Sequence, residues 1–180
     1  MEEVVTLLEQ EGWTMKDYPQ DIPYADFLDL VTSLASCTYL RDFHLADLLV
    51  FPPHTPLYEH SLVTEGLLLL QDKASCLPVA CLDLPPGCYV LDSCAAPGMK
   101  TSQAAGAVCG GWRADGLLKP QPPPGARVLA VERSSKRAIT LKEILAKSKA
   151  DSVTTVLNCD FLEVQPSDYP QVPTSPGPDS

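Results

Sequence analysis

Val90-Leu-Asp-Ser-Cys-Ala-Ala-Pro-Gly-Met-Lys-Thr101 is the stretch whose reading decides the fold. It begins inside an apolar segment, Cys88 to Asp92, that reads as a buried strand stopping on an acid. Ser93 to Gly98 consists almost wholly of small residues, so its backbone can approach a ligand closely. A helical segment follows from about Lys100 to Cys109. Its first turn offers unpaired N–H groups and the positive end of its dipole to the loop, which suits a carboxylate or a phosphate. A small-residue loop by itself is equally an ordinary tight turn between strand and helix, so its neighbours must decide.

Toward the C-terminus, Arg127-Val-Leu-Ala-Val-Glu132 is another apolar strand ending on an acid. Lys136 to Lys149 has helical spacing, with Ala138, Leu141, Ile144 or Leu145, and Ser148 on one side, and Ser134 or Ser135 can cap it. Val153 to Leu157 reads as a third strand, and Asp160 follows it. Strand, helix, strand, helix, strand is the alternation of a parallel α/β sheet. Ligands bind such sheets at the carboxyl ends of the strands, where Asp92, the loop, Glu132 and Asp160 all fall. Glu132 is the expected acceptor for a ribose diol, and Asp160 lies where an adenine edge would be. A nucleoside carrying an anionic group fits this pattern, and S-adenosylmethionine is one. The dinucleotide fingerprint G-x-G-x-x-G is missing, since Gly98 is the loop's one glycine, which argues against a nicotinamide or flavin dehydrogenase.

Toward the N-terminus the pattern is less regular. Residues 3–11 carry Val4, Val5, Leu7 and Leu8 between acids and end at Gly12, a short amphipathic helix closed by glycine. Residues 13–61 mix aromatic and apolar positions with five prolines and lack a complete pattern, so 1–61 reads as the remnant of an N-terminal α/β domain. Leu45 to Phe51 is apolar enough for a strand or a buried helix end. Gly66-Leu-Leu-Leu-Leu-Gln-Asp72 reads as a buried strand, and Ala74 to Leu84 as a helix with Pro78 in an early turn. The α/β domain is therefore placed at 62–168. Residues 110–126, rich in Gly and Pro, read as a flexible excursion within it, and 169–180 as a disordered tail. A sheet of three strands has an unsatisfied edge, so the architecture is expected to be partial.

Composition narrows the function classes. The chain has 180 residues, 45% of them hydrophobic, enough for one domain with a core plus part of another. No run of about eighteen apolar residues exists, and Met-Glu-Glu lacks the layout of a secretory or transit signal, so an intracellular protein without a membrane span is expected. The seven cysteines form no Cys-x-x-Cys pair, and His44, His54 and His60 stand apart from them, so free thiols are expected and no metal. The formal charge of −10 suits a nucleic-acid binder poorly. Arg133, Lys136, Arg137, Lys142, Lys147 and Lys149 cluster near one helix, either as a solvated face or as an RNA contact.

Asp92-Ser-Cys-Ala-Ala-Pro-Gly-Met-Lys-Thr101 resembles the cofactor motif Asp-x-Cys-Ala-Ala-Pro-Gly-x-Lys-Thr of the Nol/Nop/Sun family of RNA cytosine-5 methyltransferases. Leu70-Gln-Asp-Lys-Ala-Ser-Cys-Leu-Pro78, Leu49-Val-Phe-Pro52 and Asp160-Phe-Leu162 are similar to the branch that modifies large-subunit ribosomal RNA. The resemblance covers residues 1 to about 168 apart from 110–126. It implies a partial Rossmann-like class I methyltransferase sheet, an RNA partner, and a nuclear or nucleolar location. It also implies that Cys94, Ala95, Ala96, Pro97, Gly98, Met99 and Lys100 hold the methionine part of S-adenosylmethionine. Glu132 would then bind the ribose hydroxyls, with Arg137 beside it, and Asp160 would lie near the adenine.

Cytosine C5 becomes nucleophilic only after a cysteine thiolate adds to C6. The family places such cysteines in Asp-Pro-x-Cys-Ser-Gly and Thr-Cys-Ser segments, and the sequence contains neither. Cys76 and Cys94 are expected to pack as small buried residues, and Cys159 has no histidine or other base beside it. The resemblance thus implies a chain truncated at both ends, carrying the cofactor half and no catalytic residue. A non-catalytic module binding cofactor or a partner is the alternative.

Overall fold

The structure is a computed structural model that describes residues 2–111 and 126–169. The excursion expected over 110–126 lies outside the described residues from 112 to 125, as does the expected tail from 170 onward. The chain forms two compact units, residues 1–73 and 74–180.

The first unit begins with α1, Glu2–Gln10, as its apolar spacing predicts. Val4, Val5 and Leu8 are buried, and Gly12 ends the turn with a φ of +89°. The middle of the unit, which lacks a clear periodic pattern, holds β1 (Thr14–Met15), α2 (Tyr24–Thr32), β2 (Thr38–Arg41) and β3 (Leu49–Val50). β2 is central, parallel to β1 and antiparallel to β3. Its Tyr39 and Leu40 are fully buried, and Tyr39 stacks on Phe51 at 5.5 Å between ring centroids. The α-helical turn α3 (Ser61–Thr64) follows.

Gly66 to Asp72 is not a strand but irregular chain, which corrects the expectation drawn from its leucines. Leu67 and Leu68 pack with Leu62 onto the cluster of Val4, Leu8 and Tyr39. An apolar run marks burial, whereas a strand also needs a ladder partner, and no neighbour here supplies one. The same packing carries residues 62–73 with the first unit, so the division falls twelve residues beyond the change of pattern seen at 61.

The second unit opens with α4 (Lys73–Cys81), whose Pro78 sits at the sixth of nine positions and not in an early turn. Then come β4 (Tyr89–Asp92), α5 (Met99–Val108), β5 (Arg127–Val131), α6 (Ser135–Lys147) and β6 (Thr154–Leu157). These strands form an all-parallel sheet in the order β4-β5-β6. The α/β fold class read from the alternation is therefore observed. Asp92, Ala130 and Val156 stand side by side in the register, so the strands end together.

Both crossover helices lie against one face of the sheet and against each other. Val90, Val128, Ala130 and Val156 supply that face, and Ala105, Val108, Leu141 and Leu145 the helix side of the core. Alternate residues Tyr89 and Leu91 point the other way and are exposed. Ser102 and Ser148 join the helices through a buried hydroxyl pair at 3.0 Å, so neither buried oxygen is left unpaired.

Candidate cofactor site

β4 delivers Asp92 to the carboxyl edge of the sheet, and the carboxylate organises the loop that follows. Its Oδ1 accepts the Cys94 N–H at 3.3 Å, and its Oδ2 accepts the Thr101 hydroxyl at 2.7 Å. The Thr101 oxygen also lies 3.3 Å from the Ala95 carbonyl and is fully buried. One acid thus clips the start of the loop to the first turn of α5. The Ala95 N–H donates to the Val131 carbonyl at 3.0 Å, tying the loop to the end of β5 as well.

Within the loop Ala95, Ala96 and Gly98 are buried, whereas Cys94, Pro97 and Lys100 are exposed and Met99 is half-buried. The exposed Cys94 corrects its expected role as buried packing: the Asp92 bond turns this residue outward. Cys76 is buried as expected. The Ala96–Pro97 peptide is cis. Gly98 caps α5 at a φ of +118°, where side-chain-bearing residues are strained. A Cβ there would stand 2.9 Å from Leu141 Cδ1, so the glycine also permits the close approach of α6. No side chain caps α5, which leaves its first N–H groups directed at the loop.

Glu132 follows β5 and is 4% exposed. Its Oε1 accepts the Ser134 N–H at 2.8 Å. Its Oε2 makes no hydrogen bond and faces Arg137 Nη1 at 3.4 Å. Arg137 in turn donates from Nη2 to the Ala96 carbonyl at 2.6 Å. Asn158, which sequence reasoning missed, donates to the Glu132 carbonyl at 2.7 Å and the Arg133 carbonyl at 3.2 Å, joining the ends of β5 and β6. Its position just after a strand was the available signal.

Asp160 stands apart from this set. Its Oδ1 accepts the Leu162 N–H at 3.0 Å, and Oδ2 faces the largely exposed Arg133 at 3.6 Å. Solvent screening makes such a pair weak. The structure therefore brings Glu132, Arg137 and the loop together and leaves Asp160 at the rim. Cys159 is half-buried beside it, and all three histidines of the chain lie in residues 1–73. A groove of about 340 Å³ lined by Lys142, Leu145, Ala146, Asp151, Thr154 and Val156 includes none of these residues. It lies where β6 begins, away from the strand ends at which such sheets take ligands.

The sequence matches known proteins along most of its length. A family model described as the ferredoxin-like domain of NOL1/NOP2/Sun domain family member 5 matches residues 1–71. The mouse 28S rRNA (cytosine-C(5))-methyltransferase is 41% identical over 150 residues, covering 82% of this chain and 29% of the mouse protein. The protein of that name from Drosophila melanogaster is 35% identical over 172 residues, 94% of this chain and 36% of its own length. The chain belongs to the NOL1/NOP2/Sun domain family.

This Sun-domain chain spans about a third of the length of those relatives. Among solved structures, that of PH0851 matches with a TM-score of 0.60 at 20% identity, covering 91% of this chain and 28% of the other. At that identity the likeness supports the fold. Among the described residues no helix is long and apolar enough to cross a membrane, and no group of three or more His, Cys, Asp or Glu gathers as metal ligands.

Proposed function

We propose that these residues form the S-adenosylmethionine-binding portion of an RNA cytosine-C5 methyltransferase acting on large-subunit ribosomal RNA. The observation that carries the reading is the joined set of Glu132, Arg137 and the Ala95–Gly98 loop at the carboxyl ends of a parallel sheet. The names of the relatives, 28S rRNA (cytosine-C(5))-methyltransferases, support the substrate and the reaction. They agree with nuclear or nucleolar work on ribosomal RNA.

The residues suit the cofactor. Glu132 Oε2 is a buried acceptor without a hydrogen bond, and a ribose hydroxyl is a donor for it. The small residues Ala95, Ala96 and Gly98 let the backbone approach closely, and the uncapped start of α5 faces the same loop, where a methionine carboxylate is favoured. Cys94, Pro97, Met99 and Lys100 flank that position. Asp160 and the chain after it border the adenine side. When bound, the cofactor supplies an electrophilic methyl group. The protein's part here is to hold and orient it, while the cysteine chemistry on the base belongs to residues outside these 180.

Calorimetric titration of the 180-residue chain with S-adenosylmethionine tests the proposal. Binding by the wild type and a loss of about tenfold or more in Glu132→Ala are expected, the scale of a hydrogen bond to a charged group. Equal binding by the two proteins would defeat the assignment of Glu132.

A further inference from the structure

We propose that Arg137 is a positioning residue that sets the spacing between the loop and the Glu132 carboxylate, and is not itself a ligand of the cofactor. The inference rests on the cofactor reading above. Arg137 is the third residue of α6, yet its guanidinium reaches two separate connections of the sheet. Nη2 donates to the Ala96 carbonyl, at 2.6 Å, in the loop between β4 and α5. Nη1 faces Glu132 Oε2, at 3.4 Å, in the turn between β5 and α6.

A guanidinium is a planar fork, so fixing one arm largely fixes the other. The two acceptors are therefore held at a spacing set by covalent geometry and not by loose packing. Glu132 is gripped from its other side by the Ser134 N–H on Oε1, which leaves the carboxylate little freedom to turn. The arrangement also explains how a carboxylate can be 4% exposed without an apolar penalty, because the cation neutralises it. Arg137 itself is 53% exposed, so it bridges the two groups from the solvent edge. With both arms engaged by protein oxygens, its effect on a ligand passes through Ala96 and Glu132.

Two ligands separate this role from direct contact. S-adenosylhomocysteine carries the amino-acid carboxylate, and 5′-methylthioadenosine shares the nucleoside but lacks that carboxylate. Arg137→Ala should weaken both by a similar factor, about tenfold for the loss of a charge-assisted hydrogen bond. Arg137→Lys should restore only part of either, because an ammonium cannot span both acceptors as a fork does. A loss confined to S-adenosylhomocysteine would show a direct contact with the carboxylate and overturn the proposal. No loss for either ligand would overturn it too.

Amide hydrogen exchange across residues 94–98 gives a readout that needs no ligand. Arg137→Ala should exchange faster there than the wild type while its thermal melt stays cooperative, and unchanged protection would sink the positioning role. If Arg137→Ala fails to fold, Arg137→Lys carries the same comparison. Wild-type protein that binds neither ligand would remove the cofactor reading, while the exchange result still decides the strut.

Discussion

Gly98 shows how much of the site depends on one missing side chain. Its φ of +118° and the 2.9 Å approach of Leu141 Cδ1 to an added Cβ oppose any substitution there. Gly98→Ala should lower stability by about 1–3 kcal/mol through strain and overpacking, measured by thermal denaturation. Cofactor affinity should fall with it, since the same residue opens α5. Wild-type stability in the variant would mean that the loop can relax freely. At this scale the small-residue composition of the loop, the acids ending the strands and the basic partner Arg137 were legible. The clip from Asp92 to Thr101 was not recognised as such, nor was Asn158. A hydrogen bond between residues nine or twenty-six positions apart leaves no periodic trace in the sequence.

Among the elements, α6 was the most readable. Ala138, Leu141, Leu145 and Ser148 recur at helical spacing, and all four are buried, while Ile139 is 60% exposed on the opposite side. Ser134 takes the capping position, its hydroxyl accepting the Arg137 N–H at 3.5 Å. Leu141→Ala should cost about 2–5 kcal/mol, because its fully buried side chain lies in the core between helix and sheet. Ile139→Ala should stay within about 0.5 kcal/mol. Urea unfolding of the two variants gives the contrast, and equal losses would contradict the assigned faces. Gly66 to Asp72 misled for the opposite reason. Hydrophobicity without a period records burial, and the irregular backbone of this run was decided by what Leu67 and Leu68 pack against.

For the whole molecule, charge divides as the units do. Residues 1–73 hold 13 of the 23 acidic side chains but, in Lys16, Arg41 and Lys73, three of the 13 basic ones. The net charge of −10 therefore belongs to the first unit, and residues 74–180 are balanced. A polyanionic RNA is repelled by the first and tolerated by the second. Inside that acidic unit Asp42 is nearly buried, accepting from Lys73 Nζ at 2.7 Å and from the N–H groups of His44 and Leu45 at 2.9 and 3.0 Å.

Burial pushes the Asp42 carboxyl up, but the Lys73 bond and charge with the two amide bonds outweigh it and hold it below the usual range. A depressed folded-state value means that the stabilisation is present above the unfolded-state pKa and is lost as pH falls through the folded one. Asp42→Asn should thus be less stable than the wild type by about 1–3 kcal/mol at neutral pH. The gap should close only well below about pH 4, the ordinary aspartate range. Urea unfolding followed on the methyl resonances of Leu8 and Leu62 measures it, and a gap independent of pH would refute the assignment.

By itself the sequence determined the alternation of strand and helix, the loop at Cys94 to Gly98, and the acids that end the strands. These are local properties, because apolar periodicity and residue size act over a few positions. Only the tertiary structure decided that Arg137 reaches across to Ala96, that Thr101 locks Asp92, that Cys94 faces outward, and that residues 62–73 stay with the first unit. Each of these follows from parallel crossovers that bring distant turns to one edge of the sheet, where hydrogen bonds form between groups far apart in the chain.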